Sequence, residues 1–200
     1  MFPILEVPDT LQCFTDGSLL EGHSGAGVYL PQENTIRRLR VPLGRFATVF
    51  QAEICATATG ASFFLQQEVR DKNILFYSDS QAALRALLSP LQKTVTVPSC
   101  IDVLNQLGQN NTVTISWIPV HSGHVGNEVA DECARHASTI FTQGPHPRLP
   151  VAIRHCNRQV LEWVSLNHSR QWLKLTSCRQ AKDCPTPSAW LGRPAFEVQS

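Results

Sequence analysis

Four acids in this 200-residue chain stand where chemistry is easiest to build. Asp16 and Asp79 each follow a run of strand-forming residues, Leu11 to Thr15 and Asn73 to Ser78. Glu53 and Asp131 fall in the early turns of two stretches with helical spacing. An acid at a strand end is held by a rigid element and still reaches solvent, and ligand sites in α/β sheets gather beyond strand ends. Taken alone, Phe14-Thr15-Asp16-Gly17-Ser18 also reads as an ordinary strand ending in a turn, and Glu53 as a solvated helix glutamate. Four acids converging at one edge would repel each other severely unless cations neutralised them. All-carboxylate surroundings favour hard cations, Mg²⁺ or Mn²⁺, over zinc. Two such ions about 3.5–4 Å apart are the arrangement used for in-line phosphoryl displacement.

The elements that must position these acids follow from pattern and punctuation. Residues 1–10 form a lead-in. Leu11–Thr15 is a predicted strand with Asp16 at its end and a Gly-Ser turn next. Gly25–Leu30 is a second strand, with glycines where another backbone can approach. Ile36–Val41 is a third, bearing Arg37, Arg38 and Arg40, and short connections make the three an antiparallel meander. From Thr48, a suitable N-cap, Phe50, Ile54, Thr57, Ala61 and Phe64 recur at helical spacing. Asn73–Ser78 is almost continuously apolar, the pattern of a strand covered on both faces. Ser80 opens a helix that Pro90 closes. A further helix is expected over Ile101–Leu107, an alternating strand over Thr112–Trp117, and a helix from Asn127 that carries Val129, Cys133 and His136. Thr142–Pro150 holds three prolines and a glycine and reads as a linker. Ile153, Cys156, Val160, Trp163 and Val164 then mark one more helix, reaching Trp172. The order predicts a mixed sheet with helices packed on it. Parallel pairing of the first and fourth strands would set Asp16 and Asp79 at one edge.

Length suits one domain of about 130–150 residues with an extension, or two small domains. No apolar run approaches the ~18 residues of a membrane span, and the N-terminus lacks the basic start and apolar core of a signal peptide. The seven cysteines are scattered without a Cys-x-x-Cys pair, and Cys13, Cys55 and Cys133 sit among apolar residues. No disulfide framework is expected, and reduced thiols fit an intracellular protein of nucleus or cytoplasm, not secreted and not membrane-bound. Residues 1–139 hold nine Lys/Arg against thirteen Asp/Glu, a net of −4. Residues 140–200 hold eight against three, a net of +5. A negative body suits a cation-binding acid cluster, and a positive tail suits a polyanion.

Several segments, taken in order across residues 11–138, resemble the type 1 ribonuclease H domain. They are Thr15-Asp16-Gly17-Ser18, Ala52-Glu53, Tyr77-Ser78-Asp79-Ser80-Gln81, Trp117-Ile118-Pro119-Val120-His121-Ser122-Gly123-His124, Asn127 and Ala130-Asp131. The resemblance implies an α/β, ribonuclease H-like fold. Its five-stranded mixed sheet has three antiparallel strands, then two parallel, flanked by helices. It implies a nuclease domain at 11–140, a Pro-rich linker at 141–150 and a basic, partly helical extension at 151–200. It further implies that Asp16, Glu53, Asp79 and Asp131 hold two Mg²⁺ ions, with Mn²⁺ as the substitute. One ion would activate water and the other stabilise the leaving oxygen, cutting the RNA strand of an RNA–DNA hybrid. His121 is implied as the loop histidine near the scissile phosphate, assisting proton transfer or product release. Gly17, Ser18, Thr48, Ser80, Gln81 and Asn127 match substrate-contact positions.

The variant is most similar to the domain carried by jockey-like non-LTR retrotransposon reverse transcriptases. Val49-Phe50-Gln51-Ala52-Glu53, Trp117-Ile118-Pro119-Val120-His121 and Cys178-Arg179-Gln180-Ala181-Lys182 carry that likeness. It implies a fragment, monomeric, whose parent polyprotein holds a reverse transcriptase domain. Two departures from the wider family stand out. Val49 and Phe50 occupy positions where cellular relatives place an Asn pair, and only Lys93 is charged between Leu88 and Ile101, where bacterial relatives carry a basic protrusion. The body alone should therefore bind a hybrid weakly.

Other readings stay beside this one. His121 and His124 have the spacing of a zinc pair, without a nearby cysteine. Ser122 lacks the first glycine of a nucleophile elbow, since Val120 stands there. His155, Cys156, His168, Cys178 and Cys184 match no zinc finger. Trp163 and Trp172 are helix-packing residues or base-stacking platforms, and Arg154 and Arg158 a solvated face or phosphate contacts. From a different class comes a catalytically silent or domesticated module that keeps the fold for binding. Transposase or integrase chemistry fits less well, because it ends on a helix glutamate and the last acid here is Asp131.

Overall fold

A hairpin sets the frame. The structure, a computed structural model, describes residues 10–32, 36–91, 94–119, 123–140, 149–151 and 153–174. His121, Ser122, Lys93, most of the 141–150 linker and the segment from Cys178 lie outside the described residues. β1 (Thr10–Leu20) turns into β2 (His23–Leu30) through Glu21 and Gly22, both at positive φ, the geometry a two-residue hairpin loop requires. β2 pairs antiparallel with β3 (Arg37–Gly44). β4 (Asn73–Ser78) pairs parallel with β1, and β5 (Thr112–Trp117) parallel with β4. The sheet order is β3-β2-β1-β4-β5. This is the α/β arrangement expected, three antiparallel strands and then two parallel.

The register corrects one expectation. No turn follows Asp16, because Asp16, Gly17 and Ser18 pair with Gly27, Ala26 and Gly25 inside the hairpin. Asp16 still reaches an edge. The parallel pairing of β1 with β4 stops at Phe14↔Tyr77, so Asp16 lies beyond the end of β4 while Asp79 follows that strand directly. The expected neighbourhood of the two aspartates survives, for a different reason than a strand end.

Helices cover both faces. α1 (Val49–Gln66) starts at Thr48 with a capping box, in which Thr48 N–H donates to Gln51 Oε1 and Gln51 N–H donates to Thr48 Oγ1. Its small residues Ala52, Ala56 and Ala61, with Phe64, pack on Cys13, Ala26, Val28, Ile74 and Phe76. α2 (Gln81–Leu88) is capped by Ser80. α3 (Thr96–Gly108) begins earlier than its periodicity suggests, because Pro98 falls in the first turn, where a missing N–H costs nothing. α4 (Val125–Thr139) lies on the other face, where Ala130 joins Phe14, Tyr77 and Ile118. It packs there because β2 carries Gly25 and Gly27; a Cβ at Gly27 would run into the Ala130 carbonyl and the Ala134 amide.

The chain divides into two compact units, Met1–Ala152 and Ile153–Ser200. In the second, α5 (Ile153–Lys174) exposes Ile153, Val160 and Trp163, and His168 stacks on Trp172. No described helix is long and apolar enough to cross a membrane.

Candidate active site

Three carboxylates arrive at one point from three elements: Asp16 from β1, Glu53 from the second turn of α1, and Asp79 from the residue after β4. One oxygen from each lies within 4.8 Å of the others. Asp16 and Glu53 are buried, at 7% and 6% exposure, and Asp79 is half-buried. Glu53 reaches Asp16 because residue 17 is glycine. A Cβ there would stand 2.6 Å from Glu53 N and 2.9 Å from Ala52 Cβ. The close approach that Gly17 permits is therefore the approach of helix α1.

Burial makes these acids hard to ionise. Desolvation first, then the charge of Asp79 and, less strongly, Asp131 push Asp16 up to about 7 against the opposing Gly17 N–H. Desolvation again leads for Glu53, pushed up to about 9, with the charges of Asp16 and Asp79 next. Glu53 Oε2 is buried and has no hydrogen-bond partner. Among the described residues no cation pairs with Asp16, Glu53 or Asp79. Crowded hard oxygens, a buried lone pair without a donor and no counter-charge fit a divalent cation.

Asp79 is fixed at both ends. Trp117 Nε1–H donates to the Asp79 carbonyl at 3.1 Å, and Asn127 Nδ2–H donates to Asp79 Oδ2 at 3.1 Å. Asn127 is buried, and its Oδ1 is left without a donor. One N–H of its side-chain amide is thus committed to an acid. Asp131, in the second turn of α4, lies near enough to Asp16 to act on it electrostatically. It stands outside the tight trio and pairs with Arg135 at 2.8 Å, both side chains being substantially exposed.

The other expected site residues divide by what already holds them. Thr48 and Ser80 are helix caps whose oxygens accept backbone N–H groups. Ser18 is half-buried in β1 opposite Gly25, and Gln81 is exposed. His124 is half-buried, and its carbonyl accepts from Asn127 and Glu128 N–H. Val49 is exposed, while Phe50 turns into the cluster of Ile54, Ala83, Val97 and Cys100. Sequence reasoning missed the tasks of Trp117 and Arg135. The Asp131–Arg135 spacing of four on a helix was a readable signal. The Trp117–Asp79 bond spans 38 positions and leaves no local mark.

Over residues 8–139 the sequence matches the RNase H family. Ribonuclease H from two strains of Tropheryma whipplei, Twist and TW08/27, is 30% identical over 84 residues, covering 36% of this chain and 52% of theirs. The chain thus spans about half the length of these curated relatives. RNase H1 from the halophilic archaeon Halobacterium salinarum NRC-1 is similar in structure, with a TM-score of 0.51 at 21% identity. That match covers 64% of this chain and 96% of that one. The N-terminal RNase H domain of a Mycobacterium tuberculosis protein, solved as a fusion with maltose-binding protein, gives 0.51 at 16% identity, covering 64% and 95%. Likeness at these identities speaks to fold alone. The sequence match takes in all five strands and the four acids, and on that span the chain belongs to the RNase H family.

Proposed function

We propose that this chain is a Mg²⁺-dependent endonuclease that hydrolyses the RNA strand of RNA–DNA hybrids. The observation that carries this reading is the trio of Asp16, Glu53 and Asp79, two of them buried, held within 4.8 Å with no cation among the described residues to balance it. Maintaining such a set is unfavourable for folding, and perturbed carboxylates of this kind cluster at functional sites. The same observation weighs against a catalytically silent module.

Asp16, Glu53, Asp79 and Asp131 are the residues that would hold two Mg²⁺ ions, or Mn²⁺ in their place. Bound there, the ions supply charge neutralisation, an activated water and stabilisation of the leaving oxygen. The chain's own residues do the positioning. Trp117 and Asn127 orient Asp79, and Glu53 Oε2 offers a lone pair that no described residue uses. Arg135 holds Asp131 at the rim until it is needed. His121 is assigned proton transfer or product release. Ser18, Ser80, Gln81 and Asn127 are assigned to the substrate, with Gly17 and Thr48 shaping the backbone that approaches it.

The proposed origin is a jockey-like non-LTR retrotransposon, in whose polyprotein the domain accompanies a reverse transcriptase. Val49-Phe50-Gln51-Ala52-Glu53 supports this reading, since Phe50 serves an apolar cluster where an amide would be stranded. The proposal includes an intracellular, monomeric protein with a nuclease domain over 11–140 and a basic extension after it. The test offers three end-labelled duplexes with Mg²⁺: RNA–DNA, RNA–RNA and DNA–DNA. Only the RNA of the hybrid should be cut, and a chelator should stop it. Cutting of all three alike would overturn the hybrid assignment.

A further inference from the structure

Leu149 and Pro150 lie beyond residue 139, where the family match stops, and by composition they read as the end of a linker. They belong to the first compact unit. Leu149 packs against the main core, where Cys55 and Leu65 are also neighbours. Both residues wall a cavity of about 250 Å³ that Ile54 and Cys55 of α1 share with Thr96, Cys100 and Val103 of α3. The Pro150 carbonyl accepts a 2.7 Å hydrogen bond from Gln51 Nε2.

Gln51 is 5% exposed and satisfied at both ends of its amide. Oε1 accepts from Thr48 N–H at 2.9 Å and completes the cap of α1, while Nε2 reaches Pro150. The amide places an acceptor and a donor on two separate atoms, one for each partner. A glutamate would make the same cap but has no donor for the carbonyl. Gln51 stands two positions before Glu53, in the turn where a helix has fewest hydrogen bonds of its own.

We infer that Leu149–Pro150 is a strap which, through Gln51, fixes the first turn of α1 and so sets where the Glu53 carboxylate stands. Gln51 is then a positioning residue. The consequence for metal and substrate rests on the function proposed above, whereas the strap itself does not.

The test uses the full chain with Gln51→Glu and, separately, Leu149→Ala. The first keeps the cap and removes the donor to Pro150; the second keeps both and adds no charge. One readout is the rate at which a thiol reagent labels Cys55, located by peptide mapping, with buried Cys133 as the internal reference. The other is Mg²⁺ binding by calorimetry. Both variants should label Cys55 several-fold faster with Cys133 unchanged, and both should bind Mg²⁺ ~10-fold more weakly. On a cleavable hybrid, kcat should fall while KM holds. Unchanged Cys55 labelling in Leu149→Ala overturns the strap. A Mg²⁺ shift confined to Gln51→Glu assigns it to the added charge and overturns the positioning role. No Mg²⁺ binding by the unaltered chain overturns that role together with the metal reading, while Cys55 still decides the strap.

Discussion

Glu53 concentrates the physics of the site. Its carboxyl is raised from an ordinary 4.5 to about 9, and that of Asp16 from 3.8 to about 7, chiefly because burial penalises the charge. Between about 4 and about 9 the metal-free folded chain therefore holds protons that the unfolded chain has released. Stability should be greatest below about 4 on this account and fall as pH rises through about 7 and then about 9. Thermal melts of the chelated protein should show a lower Tm at pH 8 than at pH 5. Added Mg²⁺ should restore Tm at pH 8 most, because ions take over the sites the protons held. Calorimetry near pH 7.5 should then give a binding heat that varies with the buffer, the mark of proton release. A buffer-independent heat would mean that Asp16 and Glu53 are already ionised.

At the scale of elements, glycine and alanine decide how near the helices come. Gly17→Ala places a Cβ 2.6 Å from Glu53 N, against backbone that cannot swing aside. The substitution should cost ~1–3 kcal/mol of stability in denaturant melts and weaken Mg²⁺ binding as Glu53 moves off Asp16. A variant of native stability that binds Mg²⁺ normally would contradict that geometry. Much of this layer was legible in the sequence. Thr48 announced α1, the apolar run Asn73–Ser78 announced a covered strand, and Gly25 and Gly27 announced a close-packed neighbour, which is α4. The end of β1 was not legible, since Gly17 and Ser18 are turn residues by type. The hairpin instead turns at Glu21-Gly22, where glutamate is an unusual occupant of positive φ. The acids themselves were legible in order. Their convergence needs the parallel β1–β4 register, and the grip of Trp117 and Asn127 on Asp79 joins residues far apart in sequence. The strap was hidden because Leu149-Pro150 shares its composition with a linker.

The whole molecule divides its charge, −4 over residues 1–139 and +5 over 140–200. Arg158, Arg170 and Lys174 are exposed on α5 and suit a polyanion. Replacing these three with Gln in the full chain should weaken hybrid binding. The slope of log K against log salt should flatten by ~0.9 for each phosphate that is no longer neutralised. An unchanged slope would leave affinity to residues 1–152 alone. The central proposal is simpler, that the trio of Asp16, Glu53 and Asp79, with Asp131 near it, serves a metal-dependent hybrid nuclease. Single-turnover cleavage of an RNA–DNA hybrid, labelled on the RNA and saturated with Mg²⁺, tests it most directly when run beside Asp79→Asn. The RNA strand should be cut by the unaltered chain and left whole by the variant. An RNA strand that survives the unaltered chain, or that Asp79→Asn cuts equally well, would contradict the claim.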